Sequence, residues 1–153
     1  MERLIICGGG HVSLALAHMA SILDFDITVI DDREEFANKE RFPMVSQVLC
    51  MGFEEALDQL GSRADDYYVI VTRGHAFDRD CLAHVLRGKY AYAGMIGSRT
   101  LVAAVKAALE AAGIAREILD GVHSPIGLPI GAQTPAEIAV SIAAELVQER
   151  ARR

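Results

Sequence analysis

A Rossmann-like α/β fold, a single domain built on a doubly wound parallel sheet of about five strands in the order 3-2-1-4-5, is predicted by three features of the sequence. Short apolar runs alternate with stretches of helical periodicity. The first run breaks into "GGGHVS" at residues 8–13, and the second ends in Asp31, at about the spacing of 20 residues that a dinucleotide-binding βαβ unit requires.

The strands are expected at "RLIIC" (3–7), "ITVID" (27–31), "VSQVLC" (45–50), "YYVIVT" (67–72) and "AYAGMI" (91–96). Each is nearly continuous in apolar residues, as a strand covered on both faces is. Between the first two, Val12, Leu16, Met19, Ala20 and Leu23 recur at helical spacing and would pack on the sheet. Leu101, Val102, Val105, Ala108, Leu109 and Ala112 trace a second amphipathic helix, with Gly113 where a helix end favours glycine. "GVHSPIGLPIGAQ" (121–133), rich in glycine and proline, reads as an ordered loop at the edge of the site. The last helix opens at "TPAE": Thr134 caps, Pro135 suits the first turn and Glu137 completes a capping box. Its buried stripe is Ile138, Ile142 and Leu146, with Glu137, Ser141, Glu145 and Gln148 assigned to the solvent face.

A chain of 153 residues, 52% hydrophobic and 24% charged, fits one domain over 1–153. Its net charge of −6, with scattered basic residues, excludes the electrostatic footprint of a nucleic-acid binder. Cys7, Cys50 and Cys81 are far apart and lack a CxxC pair, which argues against a disulfide framework or a structural zinc; Cys7 and Cys50 are expected at buried strand ends. No apolar stretch reaches the roughly 20 residues that span a bilayer, and the first strand follows Met1 without a signal-peptide pattern, so the expected location is the cytoplasm.

In an open parallel sheet, ligands bind beyond the carboxyl ends of the strands, so the loops there carry the candidate site. Gly8, Gly10 and Ser13 occupy the positions of a G-x-G-x-x-G fingerprint, with serine where the third glycine packs helix on strand. Gly8, Gly9, Gly10, His11 and Val12 are thus placed to hold a phosphate on backbone amides at the positive end of a helix. Asp31 suits an adenosine ribose, with Asp32 beside it, whereas Arg33 can pair with a 2′-phosphate; alternatively the three residues only shape a loop. Arg73 and His75, after the fourth strand, are candidates for gripping an anion and for hydrogen bonding or proton movement; the alternative for His75 is an exposed helix start. Gly97, Ser98 and Arg99 open the helix after the fifth strand. An arginine in a first turn opposes the helix dipole unless an anion lies near, although Ser98 can equally be an ordinary cap. His11 and His18, seven apart on one helix, cannot share a metal ion, and no metal ligands are assigned.

The stretches "GGGHVSLALAHMASILDFDITVIDDREEFANKERFP", "GHAFDRD", "YAGMIGSR" and "HSPIGLPIGAQTPAEIAVSIAAELV" resemble the C-terminal Rossmann-like domain of the xanthine dehydrogenase accessory (XdhC/CoxI) family. The resemblance implies a chaperone that binds molybdenum cofactor (molybdopterin), protects it during sulfuration and delivers it to a xanthine dehydrogenase-type hydroxylase. It also implies a small domain before the first strand; either a separate chain would supply it here, or this chain would only bind a nucleotide. The family tends to read T-H-G-H where this chain has Thr72-Arg73-Gly74-His75, so the first histidine is replaced.

Three functions remain open from the residues. One is a non-catalytic accessory protein; the second is an NAD(P)-dependent oxidoreductase; the third is a nucleotide-sensing regulatory domain. Against the oxidoreductase, none of the four tyrosines is followed by lysine four residues later, and His75 is the one evident acid. A homodimer is expected from the general tendency of compact proteins to pair.

Overall fold

The computed structural model describes residues 1–153. In chain order the elements are β1 (Arg3–Cys7), α1 (His11–Ser21), β2 (Asp26–Asp31), β3 (Gln47–Cys50), α2 (Phe53–Leu60), β4 (Tyr67–Ile70), α3 (His75–Leu86), β5 (Tyr92–Met95), α4 (Arg99–Ala111), α5 (Arg116–Asp120) and α6 (Pro135–Ala151). All four strand pairings are parallel, and the sheet order is β3-β2-β1-β4-β5, as the alternation of runs predicts. No helix is long and apolar enough to cross a membrane.

Strand alternation divides the interior into two cores. Leu4 and Ile6 of β1 face α1 and α6, where they meet Leu16, Ala20, Ile142 and Leu146. Ile5 and Cys7 face α2, α3 and α4, where they meet Leu57, Cys81, Leu82, Val102 and Leu109. The central strand is wholly buried, which is why it tolerates no polar residue between Leu4 and Cys7.

The helix signals at both ends hold. Thr134 accepts from the Glu137 amide at 3.1 Å while the Glu137 carboxylate accepts from the Thr134 amide at 3.2 Å, the reciprocal capping box. Gly113, at φ 102°, ends α4 with the Ile114 amide donating to Leu109. The helices α2 and α5 are not among the expected ones, although α2 buries Phe53, Ala56 and Leu57 at helical spacing. Strand β1 matches its apolar run, β2 begins one residue earlier, and β3, β4 and β5 are each two residues shorter than theirs.

Two assignments are corrected. Cys50 is exposed, because β3 is an edge strand and its last residue has no neighbour on one side. Ser141 and Glu145 are buried, although helical spacing alone assigns them to solvent. The 121–133 loop covers that side of α6: Ser141 Oγ donates to the Leu128 carbonyl at 2.6 Å, and the Glu145 carboxylate accepts from the Tyr92 hydroxyl and the Gly127 amide. The same loop extends the sheet, since the His123 amide donates to Ala93 and the Met95 amide to His123. At the other end of α6, Arg150 donates to the Leu23 carbonyl just beyond α1 at 2.8 Å, so the two packed helices run in the same direction.

A buried ion pair fastens the amino edge of the sheet. Arg3 donates from Nε and Nη2 to the two oxygens of Asp66, at 2.8 and 2.7 Å, and the Tyr68 hydroxyl donates to the same carboxylate. Replacing Asp66 with alanine leaves a buried guanidinium without a counter-charge, which costs about 3 kcal/mol or more. In urea denaturation Asp66→Ala should lose about that much stability, and Arg3→Met in the same chain should recover part of the loss.

Candidate functional site

The carboxyl edge of β1 and its two neighbours, β2 and β4, brings together Gly8, Gly9, Gly10, His11, Val12, Asp31, Asp32, Arg73 and His75. Gly8 turns the chain at φ 115°, and a Cβ there would collide with the Val71 carbonyl oxygen. Its missing side chain therefore lets the β1 turn press against the end of β4. At Gly9 a Cβ would collide with the Phe36 carbonyl, so the second glycine admits the long β2–β3 connection. Gly10 differs from both: its backbone is extended, at φ −76° and ψ −164°, and a Cβ there meets nothing within 4 Å.

Behind Gly10, α1 starts without a side-chain cap and without an acidic residue in its first turn. The amides of Gly10, His11, Val12 and Ser13 have no acceptor in the protein. These donors, with the helix dipole behind them, suit an anion. α3 also starts at an uncapped glycine, Gly74, with His75 exposed in its first turn. The loop before it is held by Asp78, which accepts from the Thr72 amide at 3.0 Å and from its hydroxyl at 2.6 Å. Burial pushes the Asp78 carboxyl up, against the opposing effect of those hydrogen bonds.

Asp31 is spent inside the protein. Its side chain is 0% exposed. One oxygen accepts from the Gly9 amide at 2.9 Å and Arg33 Nη2 at 3.0 Å, and the other from the Arg33 amide and Nε, each at 3.0 Å. Arg33 in turn lies over the Phe36 ring, 3.9 Å from its centroid. A ribose can reach Asp31 only after Arg33 has moved. Burial by itself raises the Asp31 carboxyl, but the bonds from Arg33 and Gly9 outweigh it and hold the group below the usual carboxylate range.

Arg73 reaches across the edge to Asp32, pairing its two Nη atoms with both carboxylate oxygens, and lies 4.3 Å from the centroid of the Phe77 ring. Arg41, which no sequence signal singles out, donates from Nε to the Gly9 carbonyl at 3.0 Å, while its Nη2 is buried without a partner. It sits in a connection with neither periodicity nor a motif, so only the folded chain reveals that it touches the glycine turn.

Gly97, Ser98 and Arg99 form a separate feature. Ser98 caps α4 by accepting from the Leu101 amide at 3.2 Å, which is the ordinary-cap alternative. Arg99 lines a cavity of about 430 Å³ together with Pro125–Ala132, Ile138 and Ser141, so the 121–133 loop borders the start of α4. His123 stacks on Tyr92, 4.6 Å between centroids, beside Glu145 and Glu149 rather than at the glycine turn.

Fold and edge loops together define a Rossmann-type domain with an open, uncapped helix start at its central strand. The family model of the XdhC Rossmann domain matches residues 4–146, and the chain belongs to that family. It is 37% identical over 147 residues to the uncharacterized protein YqeB of Escherichia coli (strain K12), covering 95% of this chain and 27% of that protein. It is 30% identical over 156 residues to a probable xanthine dehydrogenase subunit of Bacillus subtilis (strain 168), covering 98% of this chain and 43% of that one. The crystal structure of a xanthine dehydrogenase from Bacillus halodurans superposes with a TM-score of 0.88 at 32% identity, over 99% of this chain and 43% of that one. The chain thus spans less than half the length of these relatives.

Two outcomes follow from the glycine turn and Asp31. Gly8→Ala combines a positive φ with a clash against backbone, and should lower stability by about 2–4 kcal/mol in denaturant titrations. The Asp31 carboxyl is depressed in the fold, so its contribution is complete above its ordinary value of 3.8 and is lost as pH falls through the lower folded value. Asp31→Asn should therefore be about 2 kcal/mol less stable near neutral pH and lose less stability than the wild type on acidification below about pH 4.

Proposed function

We propose that this domain serves as an accessory unit to a xanthine dehydrogenase-type molybdenum hydroxylase and that it holds molybdenum cofactor by its phosphate, for sulfuration or insertion. The observation that carries this reading is the α1 start: four unpartnered amides from Gly10 to Ser13, with open space where Gly10 lacks a Cβ. An extended backbone does not need glycine, and no neighbouring atom excludes a side chain. What glycine provides at this position is room in front of the amides.

The residues present fit a phosphate-bearing ligand. The amides of Gly10, His11 and Val12 would donate to the phosphate, with Arg73 as the nearby cation and His75 facing solvent at the start of α3. Once delivered, the cofactor supplies the metal-centred redox chemistry of the hydroxylase. The domain's own part is binding and shielding, and no nucleophile with an adjacent base is placed at the turn. The two Bacillus relatives, both named as xanthine dehydrogenase proteins, supply the xanthine dehydrogenase context.

An NAD(P)-dependent oxidoreductase fits less well. Its ribose contact would fall to Asp31, whose oxygens are taken by Gly9 and Arg33, and its acid would fall to His75 alone.

Gel filtration of the protein with purified molybdenum cofactor tests the reading, with fluorescence of the oxidised pterin as the readout. The wild type should co-elute with cofactor, while Gly10→Val, which stays folded at a cost of about 1 kcal/mol at the N-cap, should bind about tenfold more weakly. Absence of co-elution by the wild type, or equal binding by Gly10→Val, would sink the cradle.

A further inference from the structure

We propose that Asp32 is an internal stand-in for a phosphoryl group, occupying the guanidinium of Arg73 until an anionic ligand at the glycine turn takes that guanidinium over. The inference rests on the cradle reading above and adds to it a specificity residue, Arg73, and its competitor.

Arg73 follows β4 and Asp32 follows β2, with β1 between them in the sheet. Their ion pair therefore crosses over the end of the central strand, where the glycine turn lies. The pairing is a fork on a fork, both guanidinium Nη atoms against both carboxylate oxygens, which is the geometry a phosphoryl group also offers. Arg73 Nη1 also stands 3.6 Å from Asp31 Oδ1, and the second oxygen of that carboxylate accepts from the Gly9 amide at 2.9 Å. The guanidinium is thus one carboxylate's width from the turn. Phe77, under its face, fixes its plane.

The two arginines of the edge differ in how easily they let go. Arg33 is held by a carboxylate that is 0% exposed and is anchored again by the Gly9 amide. The Arg73–Asp32 pair is about one-third exposed on both partners, at 32% and 33%. A pair so exposed is screened by solvent and holds weakly, so a better anion can displace it. A phosphoryl group carrying two charges satisfies the same fork more strongly than one carboxylate, and it gains the free α1 amides as well. The ligand class that follows is a phosphoryl group of at least two negative charges; a simple carboxylate gains no such advantage over Asp32.

Removing Asp32 should then tighten anion binding, the opposite of what is expected if Asp32 contacts the ligand. Inorganic pyrophosphate is the probe, titrated calorimetrically into the full chain at one low ionic strength, with thermal midpoints confirming that each variant is folded. Asp32→Asn should bind about fivefold more tightly than the wild type and Arg73→Ala about tenfold more weakly. Glu35→Gln removes an equal, exposed charge from the field of Arg73 without touching its hydrogen bonds, and should change affinity less than twofold. In the Arg73→Ala background, Asp32→Asn should gain no more than Glu35→Gln does.

The inference is overturned if Asp32→Asn matches or falls below the wild type, if Glu35→Gln reproduces its gain, or if the gain survives loss of Arg73. Binding that is abolished by Gly10→Val yet indifferent to Asp32→Asn removes this inference and leaves the cradle standing. No pyrophosphate binding by the wild type or by Asp32→Asn removes both.

Discussion

The carboxylate of Asp31 ties the structure's working edge together. It sits at the last position of β2, fully buried, and accepts the amide of Gly9 from the turn after β1. A buried carboxylate must be hydrogen-bonded and charge-paired, and here both needs are met by Gly9 and Arg33. That arrangement fixes the height of the glycine turn relative to β2. The collision-free approach of Gly8 to Val71 fixes it relative to β4. With both neighbours set, α1 has one direction left in which to start, and its free amides open outward at Gly10.

The edge built in this way is unequal from side to side. On the β2 side, Arg33, Phe36 and Arg41 close over the turn, and a dinucleotide's ribose meets a sealed carboxylate. On the β4 side, Arg73 is exposed and held by an equally exposed partner. An anion entering the crevice therefore meets open amides and one removable ion pair, not a ready-made adenosine pocket. A holding role is consistent with that asymmetry, because holding needs charge complementarity and an exit, and no set of proton-transfer groups.

Much of the fold was legible because its signals are local. A strand buried on both faces must be apolar throughout, so "RLIIC" and "YYVIV" declare themselves, and a capping box needs only Thr134 and Glu137 three residues apart. The candidate site was legible as a set of loops for the same reason: ligands of such sheets bind at strand carboxyl ends, and the glycines mark the turn. What misled were faces covered by irregular chain. Ser141 and Glu145 look like solvent positions on a helical wheel, yet the 121–133 loop buries them, and a loop without periodicity announces no packing surface. Cys50 looks like a buried strand end, yet edge position leaves it exposed.

The sequence by itself determined the five strands, the helices α1, α4 and α6, the place of the glycine turn and the residues available at the edge, since each depends on neighbours within a few positions. Tertiary structure decided what those residues do. Whether Asp31 faces a ribose or its own Arg33, whether Arg73 is free or holds Asp32, and that Arg41 touches Gly9 at all depend on pairings between residues 2 to 41 positions apart. Such pairings are chosen by competition among several acceptable partners, and only the packed edge, with its particular burial and distances, selects one.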